Sequence, residues 1–123
     1  MGDGVQRPEL ARTEVLVDGG VVVVTMTGEV DLANTDQMRA ALEAQLRSLP
    51  RGLVVDLALE FLGSSGLSML VEVQRTAARE GVPLGVVASG RAALRTLELS
   101  GLDEALPMFG SVPEAVDSLR RND

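Results

Sequence analysis

Two short runs, residues 53–57 and 82–88, are apolar almost without a break, and helical patterns follow both. A strand that alternates apolar and polar residues has one wet face. A strand apolar on consecutive positions is buried on both, which is the situation of a parallel strand covered by helices. Strands and helices therefore alternate from residue 53 onward. That alternation implies a single α/β domain built on a mixed sheet, with about four helices packed against it.

The sheet opens with a hairpin. The β-branched runs 14–17 and 21–27 flank Asp18-Gly19-Gly20, a short glycine loop, and Gly28-Glu29-Val30-Asp31 ends the unit. A first helix follows, with Asn34 as its expected N-cap and Gln37 as capping-box partner. Met38, Ala41, Leu42, Leu46 and Leu49 form its apolar stripe, and Pro50-Arg51-Gly52 stops it. A second helix is expected to start at Ser64 or Ser65 and run to about Glu80, turning Leu67, Leu70, Val71, Val73, Ala77 and Ala78 to one side. Met69 falls at the margin of that face. A third helix, about 91–100, ends at Gly101 with the apolar pair Leu97 and Leu102 of a Schellman motif. A short strand over 106–109 precedes a last helix, capped by Ser111 and Glu114. Residues 1–12 read as a flexible tail and 13–121 as the domain.

The absent residue types exclude much chemistry. Among 123 residues there is no Cys, no His and no Lys. This removes thiolate metal sites, Ser-His and Cys-His pairs, the phosphate lysine of a P-loop and Schiff bases. No cofactor or metal is expected, and an enzyme is the least favoured class. The net charge of −7 comes without a basic cluster, which argues against nucleic-acid binding. No signal pattern and no apolar run of about 20 residues is present, so no membrane insertion and a cytoplasmic location are expected.

The richest segment is Phe61-Leu62-Gly63-Ser64-Ser65-Gly66-Leu67. A strand ends, the chain turns, and two hydroxyls stand at a helix N-terminus, where unpaired amides and the helix dipole favour an anion. Two readings compete. A serine there caps the helix, or it carries a phosphate that the helix end tolerates and a partner protein does not. A nucleophile is excluded, because the Gly-x-Ser-x-Gly pattern is absent and no histidine exists to activate the hydroxyl. Gly63 and Gly66 serve either turn geometry and close packing or the approach of another protein to the hydroxyl. Glu29 and Asp31 read as loop carboxylates, and Met69 as a core-edge residue or an exposed anchor.

Three landmarks in order resemble the STAS domain: Gly28-Glu29-Val30-Asp31, the segment 61–67, and Leu97-Glu98-Leu99-Ser100-Gly101-Leu102. The closest group is the bacterial anti-anti-sigma factors, or anti-sigma factor antagonists, and the resemblance covers the chain from about residue 13. It implies a regulator of transcription that works by partner switching. The antagonist binds an anti-sigma factor that is itself an ATP-dependent serine kinase, and sigma factor is released. Phosphorylation of a serine at the start of the second helix ends the binding, and a serine phosphatase resets it. By the motif the acceptor is Ser64, with Ser65 as the alternative. The implied partner surface comprises Asp31, Gly63, Ser64, Ser65, Gly66 and Met69. Two departures stand out: the family's usual aspartate before the acceptor is Gly63 here, and the segment 56–64 is one residue shorter. An antagonist that binds without being phosphorylated is one reading this leaves open. Other functions of the family are an accessory subunit of a membrane transporter and a small-ligand or nucleotide sensor.

Overall fold

The computed structural model of the chain describes residues 11–121. The expected tail falls mostly outside that range, but Ala11 and Arg12 already belong to the first strand. The elements are β1 (Ala11–Asp18), β2 (Val21–Val30), α1 (Thr35–Leu46), β3 (Gly52–Leu62), α2 (Ser64–Glu80), β4 (Leu84–Val87), α3 (Arg91–Ser100), α4 (Leu102–Ala105), β5 (Met108–Phe109) and α5 (Val112–Arg121). One five-stranded sheet runs in the order β1-β2-β3-β4-β5. Its first pair is antiparallel and the rest are parallel. This is the mixed sheet expected from the alternation of patterns.

The hairpin turns through Gly19 and Gly20, both at positive φ (59° and 85°). That conformation matches the twist of the flanking strands and is open to glycine at little steric cost. Along β2, Val22, Val24 and Met26 face one side of the sheet and Val21 and Val23 the other. The first set joins a core with α1, α2 and α3. The second packs with Val54 and Val87 under Ala115, Val116 and Leu119 of α5. Three long helices and the short α4 thus cover one face, and a single helix covers part of the other. Beyond α5 on that second face, buried Asp56 interrupts the apolar run of β3. It accepts a hydrogen bond from the Ser89 hydroxyl at 2.6 Å and a longer one from Thr25 at 3.4 Å.

Several expected details resolve differently. Asn34 occupies the N-cap position of α1 but makes no side-chain cap. Its amide oxygen accepts from the Asp31 N–H at 3.0 Å and its amide nitrogen donates to the Glu29 carbonyl at 2.8 Å. The side chain therefore braces the loop before the helix. At Gly101 the amide bonds Glu98 O, while the Ser100 hydroxyl donates to the Leu97 carbonyl and accepts from Leu102 N. The two-bond Schellman ending is found one helix earlier, where Gly81 N bonds Ala78 O and Val82 N bonds Ala77 O. Ser111 does cap α5, accepting from Glu114 N at 3.2 Å.

Candidate functional site

Strands β2 and β3 run parallel and end side by side, with Val30 opposite Leu62. The chain then leaves β2 into the Asp31 loop and leaves β3 into α2. Gly63 N donates to Val30 O at 2.9 Å, which extends the pairing by one bond and fixes the two exits against each other. The candidate segment is thus built on the carboxyl edge of two adjacent parallel strands.

Gly63 is the N-cap of α2, in an extended conformation (φ −82°, ψ 174°). The turn there does not call on the positive φ that glycine allows. Its carbonyl accepts from Gly66 N at 3.0 Å and Leu67 N at 3.2 Å. Ser64 and Ser65 are therefore the first two helical residues, and no side-chain cap closes the helix. This excludes the capping reading for both serines.

The two hydroxyls have different surroundings. Ser64 is exposed and its side chain makes no hydrogen bond among the described residues. Ser65 is half-buried, and its hydroxyl lies 2.7 Å from the hydroxyl of buried Thr35. The Thr35 hydroxyl in turn donates to the Asp31 carbonyl. Ser65 is the end of a polar link between the start of α2 and the Asp31 loop. Asp31 shapes that loop further, since one carboxylate oxygen accepts from Ala33 N at 2.9 Å and its carbonyl receives Asn34 N and Thr35 N.

Two residues of the expected partner surface face inward. Met69 has no exposure, because α2 lies under α1 and its marginal positions are covered as well as its central face. Gly66 is buried, and a Cβ there would stand 2.5 Å from Leu62 Cδ1 and 3.1 Å from Val30 Cγ1. Glycine at 66 allows the first turn of α2 to sit against β2 and β3, so its role is close packing. Asp31, Gly63, Ser64 and Ser65 remain at the surface or half-buried.

Sequence reasoning passed over two neighbours. Leu32 is 86% exposed in the Asp31 loop, and Phe61 is 48% exposed. The Phe61 ring edge lies 3.3 Å from where a Gly63 Cβ would stand. Both are large apolar side chains left in water on the segments that carry Asp31 and Gly63. The available signal was position: in a strand whose neighbours alternate inward, Phe61 adjoins inward-facing Leu62.

Beneath the site, Arg39 of α1 bridges Asp36 at 2.5 Å and Glu72 of α2 at 2.8 Å. The hydrogen bond that Arg39 donates to Asp36, then the charge of Glu72, raise the Arg39 pKa above its ordinary value. Among the described residues, no group of three or more acidic side chains gathers as a metal site, and no helix is long and apolar enough to cross a membrane.

Comparison with known proteins agrees with this fold. The STAS domain family matches residues 12–115. The anti-sigma-F factor antagonist RsfB of Mycobacterium tuberculosis is 33% identical over 114 residues, which is 92% of this chain and 93% of that protein. The crystal structure of an anti-sigma factor antagonist from Mycobacterium paratuberculosis superposes with a TM-score of 0.83 at 34% identity, covering 94% of this chain and 99% of that one. The Bacillus cell fate determinant SpoIIAA in its phosphorylated form shares the fold, with a TM-score of 0.66 at 20% identity, over 88% of this chain and 99% of that one. The chain is a member of the STAS domain family, and the relatives it matches over nearly their whole length are anti-sigma factor antagonists.

Proposed function

We propose that this protein is a cytoplasmic anti-sigma factor antagonist that binds an anti-sigma factor with serine kinase activity, frees the sigma factor, and is switched off by phosphate on Ser64. A serine phosphatase restores the binding form. The protein performs no chemistry of its own. The observation that carries this reading is the contrast between an exposed Ser64 hydroxyl, which holds nothing together, and Ser65, which is bonded to Thr35.

The switch follows from charge and solvent. Phosphorylation adds about −1.5 to −2 charges at pH 7. At residue 64 these stand at the amino end of a 17-residue helix, where unpaired amides and the helix dipole accommodate an anion. The domain keeps its fold. A partner resting on Leu32 and Phe61 must cover Ser64 as well, and covering a phosphate strips its water. One facing carboxylate at about 4 Å adds a repulsion of ~4 kcal/mol at an effective dielectric near 20. Every ~1.4 kcal/mol is tenfold in affinity, so a single such contact suffices to dissociate the complex. A protein of this fold, SpoIIAA, exists in a phosphorylated form.

Incubation with ATP and the anti-sigma factors of the same genome, read by intact mass and site mapping, tests the assignment. One phosphate on Ser64 is expected. Ser64→Ala should take up none, keep partner affinity, and change stability by no more than about 0.5 kcal/mol, because the hydroxyl it removes caps nothing. Phosphate on Ser65, or undiminished labelling of Ser64→Ala, overturns the assignment.

A further inference from the structure

Among the described residues, β1 and the two-residue β5 are the edges of the sheet, and the turn-proximal residues of β1 are unusually apolar for an edge. Val15, Leu16 and Val17 stand exposed, the last two at 69% each. An open edge presents unpaired N–H and C=O groups, and most proteins blunt it with lysine, proline or a bulge. No lysine, proline or bulge interrupts β1, whose eight residues pair with β2 without a break.

The phase of the ladder is fixed by the hairpin. Asp18 and Val21 flank the two-residue turn and form its hydrogen-bonded pair. Alternation then turns the backbone groups of Leu16, Glu14 and Arg12 toward β2. Those of Ala11, Thr13, Val15 and Val17 point away from the sheet.

We propose that β1 is the seam of a homodimer, in which two copies pair antiparallel about a two-fold axis at Val15 and form one continuous ten-stranded sheet. In this register Val15 meets Val15 of the second copy, and Thr13 meets Val17. All three positions carry outward-pointing backbone groups, so the ladder closes without rearranging β1. The charges also match. Arg12 of each copy stands opposite Asp18 of the other, twice by symmetry, at the two ends of an apolar centre, and each also has a partner within its own copy. A strand whose charge pattern complements its own inversion fits a second copy of itself, which is why the occupant is this chain and not an unrelated extended peptide. Leu16 and Val23 line a groove of about 320 Å³ between β1 and α5, with Val112, Pro113 and Val116 on its far side. Glu14 of the second copy falls opposite Leu16 at its rim.

The seam is short. It covers less than the roughly 1,200–2,000 Å² of a stable interface, so the dimer forms with rising concentration. Ser64 follows β3, two strands in from the edge and roughly 10 Å away. Both signalling sites stay open in the dimer, which makes the protein bivalent. The seam rests on the edge strand alone and is independent of the function proposed above.

Sedimentation of the full chain from micromolar to millimolar concentration tests it. A reversible monomer–dimer equilibrium is expected. Val15→Pro removes an outward amide without breaking a β1–β2 bond, and should raise the dissociation constant on the order of ten- to a hundredfold. Arg12→Asp should weaken dimerisation, and Arg12→Asp combined with Asp18→Arg should restore it. The Asp18–Arg120 ion pair lost in the double variant is half-exposed and contributes little. A wild type that stays monomeric throughout, a Val15→Pro protein that dimerises like wild type, or a double exchange no better than Arg12→Asp alone each overturns the proposal.

Discussion

Ser64 and Ser65 are chemically identical neighbours, and a single residue's step along the helix gives them separate surroundings. About 100° of rotation per residue carries Ser64 outward and brings Ser65 beside Thr35. Gly63 decides how both are presented. It caps α2 through its backbone only, where an aspartate would also offer a carboxylate to the free amides of the first turn. Its φ and ψ are open to any residue, and a Cβ would meet only the half-exposed Phe61 ring at 3.3 Å and Val30 O at 3.5 Å. Gly63→Asp restores the residue that the family usually carries. It should stabilise the fold by about 0.3 kcal/mol and accelerate phosphate transfer to Ser64. Thermal unfolding and the initial rate of labelling by the partner kinase measure the two effects. An unchanged or slower rate would mean that the missing carboxylate does not limit this protein as a substrate.

At the scale of elements, α5 and the α1–α2–α3 layer are separate packing units on opposite faces of one sheet. Leu119 sits in the smaller unit, 4% exposed, and its side chain lies 2.9 Å from where a Gly52 Cβ would stand. Leu119→Ala should lower the unfolding free energy by about 2–4 kcal/mol and leave partner affinity unchanged, because the proposed binding face lies over the larger unit. Denaturant titration and a binding isotherm on the same sample separate the two. The elements themselves were largely legible in the chain. The glycine pair of the hairpin, the unbroken apolar strands and the strand-turn-helix at residue 63 are local signals with local causes. What escaped was set at a distance. Asn34 looked like a cap because its position was right, but its side chain found backbone partners in the preceding loop. The serines looked like caps because the helix start depends on a bond from Gly63 to β2. Met69 looked marginal because a helix wheel has no second layer, and α1 supplies one. The four-residue α4 is too short to carry a period.

For the whole molecule, the fold places the exposed Ser64 hydroxyl at the junction of two strand ends and a helix start, with exposed Phe61 and Leu32 on the adjoining segments. In the function proposed above, this scaffold takes up a charge there without rearranging and a partner surface does not, so the two states share one structure and differ in affinity. The measurement that tests this most directly is calorimetric titration of the anti-sigma factor with unphosphorylated protein and with protein phosphorylated only on Ser64, alongside thermal unfolding of both forms. The account predicts a loss of affinity on the order of a hundredfold or more with unfolding midpoints that agree. Equal affinities, or a phosphorylated form that binds weakly because it has lost its fold, would contradict it.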